Sequence, residues 1–135
     1  MMTLTDVYTD CEEKNIEVDY FPMVKAIAMS FPEGFIAIDI DKVETSIEEK
    51  EILSHEESHI ETGSFYNFYS PLDIKKKHER RAEIHTIKKL VPLDELKETV
   101  EYGFTEVWDL ADYFDVSCEF MTRALEYYKS NQLIQ

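Results

Sequence analysis

The stretch Ser46-Ile47-Glu48-Glu49-Lys50-Glu51-Ile52-Leu53-Ser54-His55-Glu56-Glu57-Ser58-His59-Ile60-Glu61-Thr62-Gly63 is punctuated like a helix at both ends. Thr45 or Ser46 is a candidate N-cap, Ser46-x-x-Glu49 matches a capping box, and Gly63 is a fitting stop. A helix is therefore expected from Ile47 to about Glu61. Inside it, His55-Glu56-Glu57-Ser58-His59 forms an HExxH pattern. Four helical residues advance roughly 400° and about 6 Å. Both imidazoles then project from one face, where they can share a zinc ion at roughly 2.0–2.1 Å. Glu56, beside the first of them, is placed to take a proton from a metal-bound water. Taken alone, the motif also fits two histidines on the exposed face of an acidic helix.

A catalytic zinc needs a third protein ligand and leaves a position for water. The aromatic segment from Ser64 to Pro71 reads as a loop, and a second long helix follows from Leu72 or Asp73 to Leu90. On it Glu79, Ala82, Glu83, Thr86, Ile87 and Leu90 fall on a single stripe. Two carboxylates thus sit where the stripe should face the core, which is costly unless they are paired or bound to metal. Glu79 is the expected third ligand, and Glu83, one turn on, the expected acceptor for a ligand imidazole N–H. The alternative for this pair is exposed salt bridges to Arg80, Lys76 or Lys75. His78 and His85 flank the stripe. Tyr66 and Tyr69, in the loop, are candidate donors to an oxyanion.

Working outward, residues 3–14 suit a short acidic helix, and Ile16 to Tyr20 alternates like a strand. Val24–Met29 and Phe35–Ile40 read as two further strands, joined across Phe31-Pro32-Glu33-Gly34, with Ile36, Ile38 and Ile40 on one face. The strand Phe35–Ile40 is a candidate edge for pairing with an extended substrate. After Pro92 comes a short helix ending at Gly103. The tail from Thr105 to Tyr128 then reads as two helices around Asp115-Val116-Ser117, capped by Thr105 and Ser117, in a helix-turn-helix-like arrangement. The expected organisation is an α+β core over residues 1–92 and a helical subdomain over 93–135.

The net charge of −15 argues against direct contact with nucleic acid. The segment from Pro92 to Gln135 carries Lys97, Arg123 and Lys129 against ten acidic residues, so it suits packing or partner docking better than DNA reading. Lys75, Lys76, Lys77, Arg80, Arg81, Lys88 and Lys89 hold half of the chain's 14 basic residues and read as a solvated helix face. Cys11 and Cys118 form no CxxC, so neither a disulfide framework nor a cysteine zinc site is expected. No apolar run approaches a membrane span and no signal peptide is evident, which makes the cytoplasm the expected location.

The run from Ile52 to Pro92, with His55-Glu56-Glu57-Ser58-His59, then Glu79-Arg80-Arg81-Ala82-Glu83, then Lys89-Leu90-Val91-Pro92, resembles the ImmA/IrrE family of metallopeptidases. The loop from Gly63 to Pro71 and the segment Phe104–Ala111 are similar to small members encoded by phages and mobile elements of Gram-positive bacteria. The resemblance implies a zincin-like fold, with a small antiparallel sheet packed on the HExxH helix and on a second ligand helix. It implies His55, His59 and Glu79 as metal ligands, Glu56 as catalytic base, and Zn2+ as cofactor. The implied activity is endopeptidase cleavage of a DNA-binding transcriptional repressor. The competing expectation is a non-proteolytic antirepressor that binds the repressor without cutting it. Glu83 stands where the family usually has Asn, Ser58 where Gly is common, and Lys88 and Lys89 interrupt an apolar run.

Overall fold

Side-chain caps and left-handed residues divide the chain into its elements. The structure, a computed structural model, describes residues 1–135. In chain order the elements are α1 (Leu4–Glu13), β1 (Glu17–Tyr20), β2 (Ala28–Phe31), β3 (Phe35–Ile38), α2 (Ser46–Thr62), α3 (Leu72–Leu90), α4 (Leu93–Glu101), α5 (Val107–Phe114) and α6 (Cys118–Ser130), with a 3-10 turn at Ile40–Lys42 before α2. The protein is α+β. The chain forms two compact units, Thr3–Thr86 and Ile87–Gln135 together with Met1–Met2, and the division falls within α3.

In the first unit, Thr3 and Asp6 close a reciprocal capping box at the start of α1. α2 is capped by Thr45, whose hydroxyl accepts from the Glu48 N–H at 3.0 Å, and not by the Ser46–Glu49 pair. At its other end Gly63 takes φ +64°, the left-handed conformation that suits glycine. The sheet is mixed and not antiparallel as expected. Its order is β1-β3-β2, with β2 antiparallel to β3 and β1 parallel to it. The chain leaving β1 passes to the far side of β3 before β2 begins, so β1 and β3 run the same way.

Val24 lies outside any strand and is 94% exposed, and β2 begins only at Ala28. β3 ends at Ile38, because the chain turns into the 3-10 segment at Ile40. Ile36, Ala37 and Ile38 are all buried, so β3 is covered on both faces and its two edges are taken by β1 and β2. It is therefore no edge for a substrate. Fully burying Ile36 and Ile38 contributes roughly 1.5–3 kcal/mol each. β2 is the edge strand that lies against α2.

α1 is tied to α2 through charge. Lys14 Nζ lies 2.8 Å from Asp10 and 3.7 Å from the fully buried Glu57, and also pairs with Glu61. Burial opposes the charge on this ammonium, but Asp10, Glu61 and Glu57 outweigh it and hold the proton more tightly than usual.

In the second unit, Glu106, not Thr105, precedes the first turn of α5, while Ser117 caps α6 by accepting from the Phe120 N–H. Asp115 supplies the left-handed turn between them at φ 55°. Of the apolar positions expected in the tail, Leu110, Ala111, Phe114, Val116, Met121 and Ala124 are buried, whereas Leu125 is only half-buried. The Tyr128 hydroxyl donates to the Val91 carbonyl at 2.6 Å. No helix is long and apolar enough to cross a membrane. Cys11 and Cys118 are free thiols.

Candidate metal centre

α2 carries His55, Glu56 and His59, and α3 brings Glu79 alongside them within the first unit. His55 Nε2 and His59 Nε2 are 3.2 Å apart. Glu79 Oε2 lies 2.9 Å from His55 Nε2, and its Oε1 lies 3.0 Å from His59 Nε2. One donor atom from each of the three falls within 4.8 Å of the others. Two imidazole nitrogens and a carboxylate oxygen form a donor set that suits a divalent zinc with an open fourth position.

The tautomer of His59 is fixed by the end of its own helix. Gly63 turns the chain back, the Ser64 N–H bonds the His59 carbonyl at 3.0 Å, and the Ser64 carbonyl meets His59 Nδ1 at 2.6 Å. A carbonyl only accepts, so Nδ1 carries a proton; in the charged ring Nε2 donates to Glu79, and loss of that second proton frees Nε2 to bind a metal. The sequence reading gave this role to Glu83, which is half-buried on α3; for His59 the Ser64 backbone fills it.

The electrostatics follow from these contacts. The hydrogen bonds from His55 and His59 hold the Glu79 carboxyl far below the usual carboxylate range, with the Tyr66 hydroxyl adding to them against burial. Burial works against a charged His59, yet the bonds to Glu79 and to the Ser64 carbonyl, with the charges of Glu79 and Glu56, leave its pKa raised. Glu56 is pushed up by burial, against the pull of His55, His59 and a hydrogen bond from Ser30. Ser30 lies on β2, so the edge strand touches the candidate base directly. Sequence reasoning missed it, since nothing local to Ser30 signals a partner on α2.

These residues open onto a cleft of about 180 Å³. One wall is Ala28, Met29 and Ser30 of β2; Glu56, His59 and Glu79 form the floor, and Ser64, Phe65 and Tyr66 close the other side. The Tyr66 hydroxyl donates to Glu79 Oε1 at 2.7 Å, and burial followed by this bond pushes its pKa up to about 12. Tyr69 is 90% exposed and lines no part of the cleft. Of the two tyrosines considered from sequence, Tyr66 is the one brought to the site.

The remaining histidines are placed elsewhere. His78 stacks on the Tyr66 ring with centroids 6.5 Å apart. His85 meets Ser58 Oγ at 3.1 Å and Glu61 Oε2 at 3.2 Å, a serine–histidine–acid order that suggests a nucleophile. Ser58 is fully buried, however, and its hydroxyl also bonds Thr86 at 2.8 Å, so no substrate reaches it. These contacts pin α2 to α3. A second carboxylate trio, Asp10, Glu57 and Glu61, converges as well, but Lys14 already sits among its oxygens. A larger cavity of about 410 Å³ lies in the second unit, among Leu96, Val100, Leu110 and Leu125, and has no histidine in its lining.

No family model and no curated protein matches this chain.

Proposed function

We propose that this chain is a zinc-dependent endopeptidase of zincin-like, ImmA/IrrE-type architecture, acting in the cytoplasm on a DNA-binding transcriptional repressor of a phage or mobile element. The observation that carries the reading is the convergence of His55 Nε2, His59 Nε2 and a Glu79 oxygen, with the half-buried Glu56 lining the same cleft as His59 and Glu79. His55, His59 and Glu79 would hold the ion, which when bound acidifies a water and polarises a carbonyl.

The chain's own residues account for the rest. The outer edge of β2 offers unpaired backbone to an extended peptide, which would lie as a further strand beside Ala28–Ser30. Glu56 takes a proton from the attacking water and delivers it to the leaving amine. Ser30 orients the carboxyl from the substrate side. Tyr66 holds Glu79 in place, and its hydroxyl is near enough to turn toward a developing oxyanion.

Glu56→Gln tests the reading. The variant keeps the three ligands, so it should bind zinc and substrate as the parent does while cleavage falls by at least about 10²-fold. If Glu56→Gln still inactivates the repressor at the parent rate, the chain acts by binding and not by hydrolysis.

A further inference from the structure

α5 leaves a patterned face in solvent. Leu110, Ala111 and Phe114 are buried, whereas Trp108 is 61% exposed and Tyr113 41% exposed. At about 100° per residue, the outward arc runs Trp108, Asp112, Asp109, Tyr113. Two carboxylates are thus set between two aromatic rings. Phe104, itself 42% exposed, extends the patch, with its ring 6.3 Å from that of Tyr113. No Lys or Arg occurs between Lys97 and Arg123 in the sequence.

We propose that this face docks a basic, Lys- or Arg-rich segment of a partner protein. Exposed tryptophan and tyrosine on a rigid helix are the side chains that anchor interfaces. An ammonium or guanidinium seated over either ring gains cation–π attraction from it and an ion pair from the neighbouring Asp109 or Asp112. The same carboxylates repel nucleic acid, anionic membranes and acidic partners, so the arc selects for cations. The docking face lies wholly within residues 104–113 and stands or falls independently of the metal centre.

Trp108 is the chain's one tryptophan, so its fluorescence reports on this face alone. The full chain is titrated with a short Lys/Arg-rich peptide, and with neutral and acidic peptides of equal length. Only the basic peptide should give a saturable change in Trp108 emission, and its affinity should weaken about tenfold or more between about 0.05 and 0.3 M salt. Asp112→Lys should weaken binding by about fivefold or more, since a charge at the contact acts more strongly than one far away. Glu33→Lys makes the same change in net charge on an exposed turn and should leave binding near the parent value. Asp112 is exposed near the C-terminal end of α5, where an acid opposes the helix dipole, so its replacement should not unfold the unit; circular dichroism checks this. An equal response to the neutral peptide would overturn the proposal. So would equal weakening by Asp112→Lys and Glu33→Lys, since the attraction would then belong to net charge. No response to the basic peptide would overturn it as well.

Discussion

His59 Nδ1 and the Ser64 carbonyl are 2.6 Å apart across the C-terminal turn of α2, so the end of the helix orients the imidazole inside it. Gly63 makes this possible by standing at φ +64°. Gly63→Ala meets no atom within 4 Å, so its penalty is conformational and not steric. The substitution should cost roughly 1–2 kcal/mol of stability. Because it disturbs the Ser64 carbonyl, it should also lower zinc affinity by about tenfold. Competition against a chromophoric chelator measures this, and unchanged affinity would show that Ser64 does not position the ring.

Tyr66 and Tyr69 are separated by their surroundings. Tyr66 donates to Glu79, whereas Tyr69 is 90% exposed. Tyr66→Phe should lower kcat by roughly 10- to 100-fold with a smaller change in KM, as expected of a group acting on the transition state. Tyr69→Phe should leave kcat unchanged. Equal effects from the two variants would remove Tyr66 from the mechanism.

The second unit has its own test in Tyr128. Burial, followed by the neighbouring Tyr127, pushes the phenol up to about 12. An unfolded tyrosine ionises near pH 10. The folded chain therefore keeps a proton that the unfolded chain has lost, and stability that is fully present below about pH 10 declines as pH rises toward 12. Tyr128→Phe removes the hydroxyl bonded to Val91 and should reduce unfolding free energy by about 1–2 kcal/mol near neutral pH. It should also flatten the alkaline decline. Denaturant melts at pH 7 and across the alkaline window check both effects, and a variant with the parent's pH profile would contradict them.

What the sequence reveals about this protein follows the range of the interactions involved. Helix α2 and the α3 stripe are local patterns, so the approach of His55, His59 and Glu79 can be anticipated from spacing. The strand order cannot, because β1 pairs with a strand that follows β2 in the chain and nothing in Glu17–Tyr20 specifies a parallel partner. Val24 has a β-forming side chain but no strand beside it. The Ser64 carbonyl is a backbone group with no residue signature, and Ser30 reaches Glu56 only once β2 lies against α2. The stripe points to Glu83 as the acceptor, because no residue pattern shows that the helix end supplies one.

Zinc-edge X-ray absorption on the zinc-loaded chain, with metal content measured in parallel, bears directly on the centre itself. The expected result is one zinc per chain with nitrogen and oxygen scatterers at about 2.0–2.1 Å, including two imidazoles. His55→Ala and Glu79→Ala should each lose most of the bound metal. Sulfur scattering near 2.3 Å, or zinc content unaffected by His55→Ala, would place the metal elsewhere and contradict the site.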